Sequence, residues 1–337
     1  MDKKIYLFCM VCTPMLSTHQ EPITVFLHGI TANQTQSAKY IDKTIISPCI
    51  APNFPDTEPV DGTSLNSLVW RISNLLGKPV NREKSYLGQT QDIESISSEI
   101  PQENPFILYG VSRGGTAALR YIAQYNPKNL KALIIESAPH DVSHKSLEIL
   151  QSLRLNVDHK QLMHTLFPAY NPQEPTILEC IQNIKNKDLP IMIVHSQTDA
   201  RVSFQQSVEL YYALRLAGFS HIFLVPLPQG NHTFIIDSES DESIMYLTAV
   251  HSFYKLYKLP YKHEYALLNQ QQLQTLYQPE AATINSLFAQ EATKLEQTKQ
   301  LIYYAYALTT GVLISTSLYF AYQYYNTLPS VSKEQKV

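Results

Sequence analysis

Short runs of apolar residues alternate along the chain with longer segments whose apolar positions recur every third or fourth residue, as buried strands separated by helices do. The strand-like runs are Ile23 to Leu27, which ends in His28-Gly29; a run opening at Thr44 that prolines break before Asp56; Phe106 to Tyr109; Lys131 to Ala138; the run from Ile191 into a polar turn at Asp199; and the run over 221–232 that leads to Gly230-Asn231-His232. Between them, helices are predicted over Ser64–Leu76, where Trp70 is a packing residue, and over 86–100, where apolar groups stand at 87, 93, 96 and 100. Further helices are predicted from Thr116 through Ile122, over Phe204–Gly218 with Val208, Tyr211, Tyr212 and Leu214 facing inward and Gly218 as the stop, and over 242–257. Repeated strand, helix, strand order implies right-handed crossovers and a parallel sheet. The one long insertion, 141–189, carries helical runs near 146–155 and 158–167 and prolines at 168, 172 and 175, and is expected to form a small lid that covers a cleft and sets substrate choice.

The segment Phe106-Ile107-Leu108-Tyr109-Gly110-Val111-Ser112-Arg113-Gly114-Gly115 passes from strand to helix through the pattern G-x-S-x-G. A serine at such a turn takes a strained backbone that pushes its hydroxyl out of the sheet, so the flanking positions must be almost bare for strand and helix to pack. Gly110 and Gly114 meet that demand, and Gly115 adds room.

A serine hydroxyl is a poor nucleophile at neutral pH: it needs an imidazole to take its proton and a carboxylate to orient that imidazole. Two later residues fit these roles by their place after strands, Asp199 in the turn after Ile191–Val194 and His232 after Gly230-Asn231. Glu136, near the end of its own strand, is the rival acid; Asp199 is preferred because a turn and a clear helix follow it, whereas Ser137-Ala138-Pro139 follow Glu136 at once. The remaining histidines, among them His140, His144, His159, His164 and His251, stand in helical or loop surroundings where solvated roles are the default.

The serine turn and the order Ser112, Asp199, His232 resemble the α/β-hydrolase superfamily of serine esterases, lipases and peptidases over roughly residues 22 to 258. The run His195, Asp199, Val202, Gln206, Leu210, Leu214, Gly218, Gly230, His232 is similar to the last third of dienelactone-hydrolase-like and prolyl-oligopeptidase-like catalytic domains, with the departure that Arg113 stands where those peptidases usually have an aromatic residue. The resemblance implies an α/β-hydrolase fold with a mostly parallel sheet flanked by helices, a small helical lid and a C-terminal helical extension. It further implies an acyl-enzyme route for an ester, thioester or small amide, with backbone N–H groups of Ile30 and Arg113 as the oxyanion donors and His28 as a brace for its loop. A catalytically silent fold of this kind, serving as a membrane-anchored binding module, is the alternative.

Composition narrows the picture further. At 337 residues, 44% hydrophobic and 16% charged, the chain can bury one large α/β domain with an appendage. A net charge of -3 offers no footprint for nucleic acid, and no His/Cys/Asp cluster has metal spacing nor any glycine-rich loop a phosphate-binding form, so neither metal nor cofactor is expected. Cysteines at 9, 12, 49 and 180 make no disulfide framework, and Cys9 and Cys12 read as apolar residues.

The ends carry separate signals. Residues 1–19, with Lys3 and Lys4 before an apolar run from Ile5 to Cys12, have the shape of a secretory signal peptide; an ordinary first strand is the competing reading. The expected organisation is then the hydrolase domain over 20–259, a Gln-rich helical spacer over 260–300, a candidate transmembrane helix over 301–325 and a polar tail over 326–337. From Leu301 to Tyr325 no charged residue appears, and tyrosines gather at both ends, as interfacial belts do. The expected partners are a small-molecule or acyl substrate and membrane lipid, and the expected location is single-pass on a membrane with the hydrolase domain exported if the N-terminal segment acts as a signal.

Overall fold

The computed structural model describes residues 20–30, 32–57, 84–142, 163, 167–233, 235–237 and 239–278. The candidate signal segment 1–19, the predicted helix Ser64–Leu76 with Trp70, nearly all of the two lid helices, and everything from 279 onward, including 301–325, lie outside the described residues. Among the described residues no helix is long and apolar enough to cross a membrane.

Among the described residues six strands form one sheet: β1 (Ile23–Leu27), β2 (Cys49–Ile50), β3 (Phe106–Val111), β4 (Leu130–Glu136), β5 (Ile191–Ser196) and β6 (Ile222–Leu227). Their order is β2-β1-β3-β4-β5-β6, and every neighbouring pair is parallel. Strands covered on both faces read as continuous apolar runs, and all six residues of both β3 and β5 are buried. Only β2 is much shorter than predicted. Tyr40 O takes the N–H groups of Lys43, Thr44 and Ile45, so the chain turns there, and Pro48, Pro52 and Pro55 withhold donors from any longer ladder.

The helices account for the sequence periodicities. In α1 (Thr90–Ile96) and its flanks, Leu87, Ile93, Ile96 and Ile100 are all buried, but Leu87 and Gly88 are left-handed and end the helix early at its N-terminal side. The next helix, α2 (Arg113–Tyr125), lies across β3, β1 and β4 and stops at left-handed Asn126. After the insertion, whose described part contains α3 (Ile177–Cys180) with a Thr176–Glu179 capping box, come α4 (Phe204–Leu216) and α5 (Asp241–Leu256), both packed on β5 and β6. In α4, Val208, Tyr212 and Leu214 are buried as predicted, while Tyr211 is half-buried, its ring 5.6 Å from that of Tyr277.

One core cluster joins alternate residues of the strands, such as Phe26, Ile107, Ile134, Val194 and Phe223, to Val250 and Phe253 of α5. Leu273 belongs to the same cluster and is fully buried; it sits on α6 (Gln270–Thr275), which Asn269 and Gln272 cap reciprocally. The compact unit therefore runs through Tyr277 rather than closing near Leu259, because burying a leucine side chain is worth about 1.5–3 kcal/mol that a free spacer would forgo.

Candidate active site

Ser112 stands between the end of β3 and the start of α2 with φ 53° and ψ -121°, a backbone that side-chain-bearing residues rarely adopt. The surrounding chain holds it there: Ser112 N–H donates to Glu136 O at 2.7 Å, and Ser112 O accepts from Gly115 N–H at 2.9 Å. A Cβ at Gly114 would lie 1.9 Å from Leu27 O, and one at Gly110 would lie 2.5 Å from Gly114 O, so β1, β3 and α2 meet only because both side chains are absent.

Asp199 and His232 come from loops beyond β5 and β6; His232 reaches the serine, and Asp199 reaches His232. His232 Nε2 lies 2.8 Å from Ser112 Oγ across 120 residues of sequence, and His232 Nδ1 lies 2.6 Å from Asp199 Oδ2. The two loops are tied together: Ser196 Oγ donates to Gly230 O at 3.0 Å, and Gly230 N–H donates to Thr198 Oγ1 at 3.1 Å. The Asp199 carboxylate is buried, and its Oδ1 accepts the N–H groups of Arg201 and Val202 at 2.8 and 3.0 Å. Burial alone would favour the neutral acid, but hydrogen bonds from His195 and His232, the charge on His232 and the Val202 N–H outweigh it and hold the carboxyl well below the usual range. Glu136, the rival acid, points elsewhere. Its Oε2 accepts the Tyr246 hydroxyl at 2.6 Å, and the Tyr246 oxygen lies 2.6 Å from that of Tyr109, a buried network between the sheet and α5.

The two expected oxyanion donors belong to residues near the serine, one in sequence and one beside a residue that approaches it in space. Arg113 follows it directly, and a Cβ on Gly29, the neighbour of Ile30, would sit 3.4 Å from Ser112 Cβ. Among the described residues, neither the Ile30 nor the Arg113 N–H has a hydrogen-bond acceptor. His28 braces this loop as expected. It is fully buried, with Nδ1 2.8 Å from Gly29 O and Nε2 accepting Phe54 N–H at 3.3 Å, and burial together with the nearby Arg113 charge lowers its pKa to about 4, so it is neutral.

The side chain of Arg113 is a feature that reading the sequence for a backbone donor missed. It is 2% exposed, pairs with Asp56 Oδ2, and holds Nε 3.9 Å from Asp92 Oδ2, with Phe54 packed 4.2 Å beneath the guanidinium. Burial works against its charge, and the two carboxylates restore it. Asp56 also accepts the Ser85 hydroxyl at 3.0 Å, and Asp92 accepts Gly88 N–H at 2.6 Å. Burial lifts Asp92 to about 6 despite Arg113. The usable signal was the arginine beside the serine, since a buried guanidinium must find carboxylates.

The described part of the insertion is bolted to α2. Arg120 pairs with Glu174 at 2.7 Å and donates to Pro175 O at 2.8 Å. A cavity of about 180 Å³ lies alongside, lined by Thr116, one helical turn from Ser112, and by Leu87, Gln89, His140 and Tyr170. Among the described residues no group of three His, Cys, Asp or Glu side chains could hold a metal ion.

The model of the Prolyl oligopeptidase family matches residues 95–258. No curated protein matches the sequence. Among solved structures, the acylaminoacyl peptidase of Pyrococcus horikoshii is 16% identical with a TM-score of 0.44, over 75% of this chain and 40% of that one, so the chain spans well under half of that enzyme's length. Est1E from Butyrivibrio proteoclasticus is 14% identical with a TM-score of 0.39, over 73% and 91% of the two chains, and an esterase from Pyrococcus furiosus is 14% identical with a TM-score of 0.41, over 70% and 81%. With its parallel sheet flanked by helices, its strained serine turn and a Prolyl oligopeptidase family match that runs across β3 to α5, the chain has the α/β-hydrolase fold.

Proposed function

We propose that the protein is a serine hydrolase that cleaves an ester, thioester or small amide through an acyl-enzyme. The observation that carries this reading is the unbroken line of hydrogen bonds from Ser112 Oγ through His232 to Asp199, at 2.8 and 2.6 Å. Ser112 Oγ attacks the carbonyl carbon while its proton passes to His232 Nε2, and Asp199 stabilises the imidazolium. The negative charge on the former carbonyl oxygen falls to the N–H groups of Ile30 and Arg113. His232 then returns the proton to the leaving oxygen, sulfur or nitrogen; water repeats the sequence on the acyl-enzyme and restores the serine.

The insertion 141–189 is assigned to covering this cleft, and its attachment beside the Thr116 cavity supports that role. The uncharged stretch 301–325, with tyrosines at its two ends, supports a single-pass membrane tether, and the shape of residues 1–19 supports export of the hydrolase domain.

The test is a fluorophosphonate probe, which should label the protein covalently at Ser112, with Ser112→Ala abolishing the label. Equal labelling of the alanine variant sinks the assignment, and an unlabelled wild-type protein favours a silent binding module instead.

A further inference from the structure

Asp199 Oδ2 is shared by two imidazoles. Besides His232 Nδ1 at 2.6 Å, it faces His195 Nε2 at 3.1 Å. His195 is the fifth residue of β5, fully buried, with the Phe204 ring edge-on 5.8 Å away. Its Nε2 also faces Val202 O at 3.0 Å, and its Nδ1 lies 2.7 Å from the hydroxyl of fully buried Ser207 on α4.

The protons on this ring follow from its partners. A carbonyl oxygen and an ionised carboxylate only accept, so Nε2 carries a hydrogen shared between them. In the neutral ring Nδ1 is then bare and accepts, and the Ser207 hydroxyl supplies the hydrogen. The result is a second arm, Ser207 to His195 to Asp199, meeting the first arm, Ser112 to His232 to Asp199, on one oxygen.

We propose that His195 is a positioning residue for this hydrolase: its Nε2–H fixes the Asp199 carboxylate through Oδ2 while the N–H groups of Arg201 and Val202 hold Oδ1, and Ser207 anchors the ring from Nδ1. The need is local. Asp199 sits in a polar turn beyond β5 with no regular structure to orient its side chain, so the direction of the carboxylate rests on these four donors.

This inference rests on the serine-hydrolase reading, and the experiment separates the two. Wild-type protein, His195→Leu, His195→Gln and Ser207→Ala are compared in the rate of fluorophosphonate labelling at Ser112 and in kcat and KM for a short-chain p-nitrophenyl ester. His195→Leu should lower the labelling rate and kcat by about tenfold to a hundredfold with KM little changed. His195→Gln, whose side-chain amide places an N–H near the Nε2 position, should recover most of that loss, which a purely space-filling role would not produce. Ser207→Ala should lower both rates by a smaller factor, and it decides the matter if the leucine variant does not fold. Wild-type rates in folded His195→Leu or in Ser207→Ala, or a glutamine variant as slow as the leucine variant, would overturn the inference. Wild-type protein that takes no label would overturn the hydrolase reading, and this inference with it.

Discussion

Asp199 Oδ2 lies 2.6 Å from His232 Nδ1, while the carboxylate of Glu136, the other acid at a strand end near the serine, accepts the hydroxyl of Tyr246 instead. Asp199→Asn should therefore keep the fold and lower turnover by roughly 10⁴, because the asparagine amide favours the wrong imidazole tautomer. Glu136→Gln should leave turnover within about tenfold and show itself as lost stability, since it disturbs a buried hydrogen bond with Tyr246. Ester hydrolysis by the two variants decides between them, and the reverse ranking would move the acid role to β4.

Arg113 and Asp56 form a buried pair directly behind the serine turn. Removing one partner leaves the other charge uncompensated, so Asp56→Ala should lower the free energy of unfolding by about 3–5 kcal/mol. Urea titration of the full chain measures this, and a loss below about 1 kcal/mol would mean that the pair is not formed in solution.

Asp92 gives a pH signature. Burial raises its carboxyl to about 6, so protonation favours the folded protein. The cost of holding Asp92 ionised is absent below the unfolded-state value near ~3.9, grows as pH rises and is complete above about 6. Asp92→Asn keeps an oxygen for Gly88 N–H and removes that cost, so the variant should gain on the wild type between about pH 4 and pH 7, by up to ~3 kcal/mol. Paired unfolding titrations across this range test it; a difference that stays flat, or that shrinks as pH rises, would contradict it.

The packing of Leu273 and Tyr277 fixes where the hydrolase unit can be cut. A chain ending at Gln278 should fold, stay in solution and label at Ser112. One ending at Leu259 loses α6 and exposes core residues such as Phe223 and Phe253, and should aggregate. The full chain should stay in the pellet after carbonate extraction while the chain ending at Gln278 is released. Release of both would remove the support for a tether at 301–325.

What could be read from the sequence was what local pattern encodes. The strands announce themselves as apolar runs because both faces of the sheet are covered, and the serine turn does so because Gly110 and Gly114 have no substitute at their contact distances. Asp199 and His232 were legible for a related reason, since parallel strands deliver the loops after them to one edge of the sheet. The Arg113 cluster was not, because its partners at 56 and 92 come from a proline-rich loop and the first turn of α1, and no periodicity links them. His195 was visible as part of a family-like run, but its role depends on Ser207 one turn inside the next helix, a pairing that only the fold creates. The edge strand shrank to Cys49–Ile50 because a turn centred on Tyr40 took up the donors that a strand from Thr44 would have used.

The strand order carries a consequence for how the chain assembles. β1 is an interior strand flanked by β2 and β3, yet Ile23 pairs with Phe106, so β1 must wait for more than eighty residues before its longer partner exists. By contrast β3, α2 and β4 are consecutive in sequence and adjacent in space, and loop closure between them is the least demanding step available. The serine turn lies in the middle of that unit. Its strained backbone is therefore expected to be set early, by β3, α2 and β4 alone, and the clasp of Leu27 against Gly114 to follow when β1 docks: substitutions in β4 should slow refolding, and those in β1 should chiefly speed unfolding.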